Sequence, residues 1–125
     1  MTDTPRFSLA TVVLDCSDAQ TLAAFYSRLL GWPISVSEPG WVLMRSPTGG
    51  TGLAFQAEDW YQRPVWPEER EKPQKMLHLD IKVDDLEVAG AHAVDAGAVL
   101  ADYQPQEGVR VYLDPAGHPF CLFID

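Results

Sequence analysis

Three scarcities narrow what this chain can do. Only Cys16 and Cys121 are present, with no CxxC or zinc-finger spacing, and a reducing compartment keeps such residues as thiols. Basic residues are half as many as acidic ones: nine Lys and Arg against 18 Asp and Glu give a net charge of −9. That balance repels nucleic acid and anionic membrane, and it favours neutral or cationic small ligands. No run approaches the roughly 18 apolar residues of a membrane span. The opening "MTDTPRFSLATVVLD" also lacks the basic segment and long apolar stretch of a secretory leader. The expectation is a cytoplasmic protein with no nucleic-acid and no membrane partner. No Gly-rich phosphate loop and no Ser/His/Asp order stands out either.

What remains is a chain of 125 residues, 46% hydrophobic, enough for one domain with a core. A strand-like run from Phe7 to Asp15 meets a helical pattern that Asp18 can cap and Gly31 with Pro33 can stop. Leu22, Phe25, Tyr26 and Leu29 fall at helical spacing and read as core. The runs "ISVS", "WVLMRS" and "GLAFQA" follow, separated by turn-formers. A second strand, Leu77 to Val83, then leads into a helix opened by Asp85 and closed by Gly97, and "VLADYQ", "VRVYLD" and "FCLFID" complete the pattern. Both halves read strand, helix, three strands. The caps Asp18 and Asp85 lie 67 residues apart, and the turns beginning at Ser46 and Asp114 lie 68 apart, so the halves superpose with one residue of slack. That offset pairs Thr11 with His78.

The second leading strand alternates Leu77, Leu79, Ile81 and Val83 with His78, Asp80 and Lys82, giving one apolar and one ionisable face. His78 on that face is a candidate pocket residue, general base or metal ligand. Cys121 alternates with Phe120 and Leu122 and so faces away from the helix layer. His118 follows the "DPAG" turn and reads as shaping it or packing at its edge, His92 reads as solvent-facing, and Arg45 and Arg110 read as inner-strand residues that either meet an anionic group or cap the sheet surface. Between the halves lies a proline-rich loop, 58–76, containing Trp60, Tyr61 and Trp66. Large aromatics in a polar loop pack onto a core edge, a partner or a ligand.

The paired modules, the "FYSRLLGW" helix end, the "HLDIKVDDLE" strand-to-helix step and the terminal "DPAGHPFCLFID" together resemble the glyoxalase/bleomycin-resistance/dioxygenase group, or vicinal oxygen chelate superfamily. The resemblance runs from about Ser8 to Asp125. It implies an α+β domain of two tandem β-α-β-β-β modules, about 7–57 and 77–125 joined by loop 58–76, whose mixed sheet curls around a cleft, and it implies a homodimer. Enzymes of the group commonly hold a divalent metal between the modules, with ligands on the first and last strands of each. Those positions carry Thr11, His78 and Cys121 here, with the fourth at about Gln56, although Ala54 shares its strand face. Only His78 is a usual ligand, so no cofactor is expected. A divalent metal, if present, would sit on His78 with Gln56 or Cys121. The cleft is expected to be lined by Thr11, Gln56, Trp60, Trp66, His78, Asp80 and Cys121 and to bind a small organic molecule. The alternative is a lyase- or isomerase-type enzyme using His78 as base or in an atypical divalent-metal site.

Overall fold

The computed structural model describes residues 5–125, in which two four-stranded sheets lie on either side of a shared helical layer. The first module contains β1 (Thr11–Cys16), α1 (Ala19–Leu30), β2 (Ile34–Glu38), β3 (Trp41–Met44) and β4 (Gly52–Ala57). The second repeats the order as β5 (Leu79–Lys82), α2 (Leu86–Ala96), β6 (Val99–Leu100), β7 (Val109–Leu113) and β8 (Pro119–Phe123). Strand order is β1-β4-β3-β2 in one sheet and β5-β8-β7-β6 in the other. In both, the leading strand pairs in parallel with the last and the remaining pairs are antiparallel. This is the α+β, two-module architecture expected from the sequence. The sheets do not merge, and β1 and β5 each end a sheet with one open edge.

Both helices start and stop where their capping residues dictate. Asp18 accepts a hydrogen bond from the Thr21 N–H at 3.1 Å, and Asp85 accepts one from the Val88 N–H at 3.0 Å. Gly31 turns left-handed, with φ at 72°, and returns its N–H to Ser27 O, a conformation that costs a side-chain-bearing residue about 1–2 kcal/mol. The helix ends are also tied to each other. The Arg28 guanidinium donates twice to Ala96 O, at 2.6 and 3.2 Å, and the exposed His92 ring lies 3.1–3.2 Å from Arg28 O and Leu29 O.

Helix α1 holds the modules together. Its Leu22, Phe25 and Tyr26 are buried, and Leu29 packs partly buried beside them. The Tyr26 ring stacks on Phe55 of the first sheet at 5.5 Å, while Phe25 meets Phe120 of the second at 5.9 Å. Each such aromatic pair contributes roughly 0.5–1.5 kcal/mol beyond its buried area. The Tyr26 hydroxyl crosses to the second module and donates to Asp114 Oδ2 at 2.7 Å.

Several strands are shorter than the alternation predicts, and for three the reason is visible. β1 starts at Thr11 rather than Phe7 because its partner β4 starts at Gly52, which leaves Phe7 and Leu9 exposed. β5 starts at Leu79 because Met76 takes a positive φ of 61° and the Leu77 N–H turns back to Lys75 O, so His78 stands at the strand's entry. In "VLADYQ" only Val99 and Leu100 pair, and the Gln104 side chain replaces the ladder, donating to Ala101 O and Val111 O and accepting from the Val111 N–H.

Replacing Tyr26 by Phe leaves the buried Asp114 carboxylate short of a donor. It should lower stability by about 1.5–3 kcal/mol in urea unfolding followed by near-ultraviolet circular dichroism, with an unchanged m-value.

Candidate functional site

Two groups of candidate functional side chains emerge, one at the sheet face of the second module and one beneath the linking loop. At the first, His78, Asp80 and Cys121 converge. Asp80 and Cys121 are direct partners across β5 and β8, and paired residues in a parallel ladder share a face. His78 Nε2 reaches Asp80 Oδ1 at 3.1 Å. Regular strand geometry would hold side chains two positions apart about 6.6 Å from each other. The turn at Met76 takes His78 out of the regular strand and closes that gap. One donor atom from each of the three residues lies within 4.8 Å of the others. The Cys121 thiol is raised above its ordinary pKa by burial and by the charge and hydrogen bond of Asp80. The Lys75 ammonium offsets this only in part, so the thiol stays a poor nucleophile. These residues line a depression with Gln106, Glu107, Gly108 and Val109.

The other sequence-predicted residues do not join this group. Thr11 lines a separate depression with Leu43, Arg45 and Gly52 on the first module. Gln56 is exposed and its Nε2 donates to Glu58 at 2.7 Å. Strand register explains why Gln56 stands apart. Val13 pairs with Ala54 exactly as far along the repeat as Asp80 pairs with Cys121, so the counterpart of Cys121 is Ala54, and Gln56 corresponds to Phe123. Ala54 is fully buried and brings no donor. A metal centre spanning both modules therefore finds only the Thr11 hydroxyl on one side, and these residues do not fit it. Arg110 faces α2, lining a groove with Glu87, Gly90 and Asp95.

The second group forms the wall of a cleft of about 490 Å³ between β1 and the approach to β5, roofed by the linker. Asp15, Glu58, Trp60, Tyr61, Lys75 and His118 are among its lining residues. Behind the wall sits Asp114, whose side chain is fully buried. Its Oδ1 accepts the N–H groups of Ala116 and His118, each at 2.9 Å, and its Oδ2 accepts Tyr26 Oη–H and the His118 ring at 2.8 Å. An ionised carboxylate only accepts, so His118 presents Nδ1–H to it and turns Nε2 toward Tyr61 Oη, 3.2 Å away. The single Tyr61 O–H can serve that nitrogen or Ala116 O, 2.8 Å away, but not both at once. Burial first, and then the charge of Asp114, push the Tyr61 phenol up to about 12. Tyr61 therefore serves as a neutral donor rather than a phenolate.

The linker is pinned to this turn. Arg63 donates to Pro115 O at 2.8 Å and lies across Gly117, whose φ of 91° suits glycine and whose missing Cβ leaves room for the guanidinium. Trp66 packs on Tyr103 and under the Lys75 ammonium, and its indole N–H donates to Tyr103 O. It fastens the loop and lines none of these cavities among the described residues. Trp60 is 92% exposed at the cleft, so nothing among the described residues covers it. Tyr61 and His118 as cleft walls were not assigned from sequence. The signal was the Asp-Pro-x-Gly turn, whose leading Asp folds back on its own backbone N–H groups.

A family model described as glyoxalase-like domain matches residues 11–123. No curated protein matches the chain. Among solved structures, the fold is similar to a glyoxalase/bleomycin resistance protein/dioxygenase family enzyme from Burkholderia phytofirmans, with TM-score 0.71 at 17% identity, covering 94% of this chain and 98% of that one. A glyoxalase family protein from Enterococcus faecalis gives TM-score 0.67 at 21% identity, covering 93% and 96%. TnmS3, an antibiotic binding protein from Streptomyces sp. CB03234, gives 0.63 at 19%, covering 98% of each chain.

The raised groups set an alkaline limit on stability. Burial pushes the Cys16 thiol from 9.0 to about 11, and Tyr61 moves from 10.0 to about 12. The unfolded chain gives up these protons first, so stability is full below about pH 9 and falls as pH rises through 11 and 12. Melting temperatures across pH 8–12 should decline over that window, and Tyr61→Phe should flatten the upper part of the decline. A flat profile in the parent protein would remove both assignments.

Proposed function

The chain belongs to the glyoxalase-like domain family, and we propose that it binds a small organic molecule in the cleft beneath the linker without a catalytic metal bridging its modules. The observation that carries this reading is the cleft wall itself. Tyr61 and His118 are fixed from behind by Asp114, the carboxylates of Asp15 and Glu58 stand nearby, and the indole of Trp60 is bare. A cleft of about 490 Å³ falls in the range that holds drug-sized ligands. Aromatic faces beside carboxylates suit a neutral or cationic aromatic compound, in keeping with the net charge of −9. The antibiotic-binding role named for TnmS3 supports the same class of function on this fold.

The reading includes a homodimer. β1 and β5 offer open edges, and Phe7, Leu9, Val13, Met76 and Leu77 are exposed on or beside them. A second copy that covers these residues would also bring a first-module face toward the His78 face of its partner. The reading places the protein in the cytoplasm, where Cys16 and Cys121 stay reduced, with no nucleic-acid or membrane partner. No helix among the described residues is long and apolar enough to cross a membrane.

A second reading, a lyase- or isomerase-type enzyme with His78 as general base, draws on the 3.1 Å contact between His78 and Asp80, which would orient the ring. His78→Ala that abolishes turnover while fold and dimer persist would establish it.

The binding reading is tested by tryptophan-quenching titrations with a panel of neutral and cationic aromatic compounds, with and without EDTA. Micromolar binding that survives the chelator and weakens about tenfold or more in Trp60→Ala is the expected result. Binding that requires added metal, or that ignores Trp60 and Tyr61 substitutions, would overturn it.

A further inference from the structure

The first module carries a depression that the cleft beneath the linker does not use. It encloses about 320 Å³ at the start of β1 and β4, lined by Thr11, Leu43, Arg45, Ser46 and the bare backbone of Gly52 among others. We infer that Arg45, assisted by the Thr11 and Ser46 hydroxyls, binds the terminal oxyanion of a small organic acid, a carboxylate or a phosphate.

Strand alternation builds the site. On β1, Leu14 and Cys16 are buried, so Thr11, Val13 and Asp15 take the opposite face. On β3, Val42 and Met44 are buried, so Leu43 and Arg45, which follows the strand, take that same open face. β4 runs between the two, and Gly52 is the residue it brings between Thr11 and Arg45. Thr11 is the ladder partner of Gly52, and a Cβ on Gly52 would stand 3.5 Å from Arg45 Cα. That Cβ would also fall 2.6 Å from Met44 O, which explains the glycine. No side chain of the middle strand therefore separates Thr11 from Arg45.

Charge sets this depression apart. The other described depressions each hold a carboxylate: Asp15 and Glu58 beneath the linker, Glu87 and Asp95 beside α2, Asp80 and Glu107 at β5, and Glu68 beside Lys75. This one holds none, in a chain with twice as many acids as bases. Lys75 is paired with Glu68, and Arg110 donates to the carbonyl of Val109. Arg45 makes no ion pair and no side-chain hydrogen bond among the described residues. A planar fork of N–H donors with no acceptor in reach suits two-point capture of a carboxylate or phosphate. The net charge of −9 does not forbid this, because exposed charges farther than about 8 Å away are largely screened at physiological salt.

The hydroxyls add donors. Ser46 Oγ and Thr48 Oγ1 lie 3.0 Å apart, and the Thr48 N–H also donates to Ser46 Oγ. The two hydroxyls share one hydrogen bond, so when Thr48 donates, the Ser46 proton is free to meet an oxyanion. None of these residues lines the cleft beneath the linker, so the site stands independently of the binding proposed there.

The test titrates the full chain at low salt with benzoate, phenyl phosphate and neutral benzamide in turn, followed by calorimetry and ligand-observed magnetic resonance. One acid per chain should bind, more weakly as salt is raised, and benzamide should bind about tenfold or more weaker. Arg45→Met should abolish binding, and Arg45→Lys, which keeps the charge but loses the fork, should weaken it about tenfold. Arg45 is exposed, so the melting temperature should hold in both variants. Arg110→Met and Trp60→Ala should bind as the parent does. Binding of only one of the two acids upholds the site and identifies its oxyanion. No binding by the parent chain, equal binding of benzamide, or binding that survives Arg45→Met overturns it. Loss in Trp60→Ala with Arg45→Met unaffected would move the anion to the cleft beneath the linker and overturn it as well.

Discussion

One buried carboxylate, Asp114, organises more of this molecule than any other side chain. Among the described residues no lysine or arginine pairs with it, and it is met by four hydrogen bonds from Ala116 N–H, His118 N–H, the His118 ring and the Tyr26 hydroxyl. A carboxylate out of water loses several kcal/mol of solvation, and only such a set of oriented donors offsets it. Because Tyr26 belongs to the first module and Asp114 to the second, satisfying the charge fixes how the modules meet. Because His118 and Tyr61 are next in line, the same charge also positions the cleft wall and the start of the linker.

Much of the architecture was legible because it depends on local chemistry. Asp18 and Asp85 cap helices through their own side chains, Gly31 and Gly97 close them, and the offset of 67 exposes the repeated module. Strand alternation placed His78, Asp80 and Cys121 on one face. What sequence did not reveal depends on long-range partners. β6 ends early because Gln104, several residues on, supplies a side-chain amide where a strand would supply peptide groups. Gln56 was aligned with Cys121 by sequence, but the register of β1 against β4 assigns that position to Ala54. The contact between His78 and Asp80 arises from a left-handed Met76, which no propensity announces. His118 read as a turn residue is correct as far as it goes, since it does close the Asp114 turn. Its second nitrogen faces a tyrosine 57 residues upstream, which only the fold brings near.

The repeat is symmetric in backbone and asymmetric in chemistry. At matched positions the first module carries Thr11, Val13 and Ala54 where the second carries His78, Asp80 and Cys121. The polar set has gathered in one half, and the aromatic cleft has formed at the seam where the linker crosses. A shared scaffold thus presents two surfaces with different side-chain chemistry, which is why fold alone says little about reaction.

The way α1 serves both sheets also bears on how the chain is made. Its partners in the second module, Asp114 and Phe120, lie 88 residues or more beyond the side chains they meet. During synthesis, roughly 60 residues must emerge after β4 before those partners exist. At roughly 5–20 residues per second the aromatic face of Phe25 and Tyr26 therefore waits on the order of 3–12 seconds without its cover. For that interval the first module is a half-built core, and the nascent chain's solubility rests on whatever shields this face until the Asp-Pro-Ala-Gly-His turn arrives.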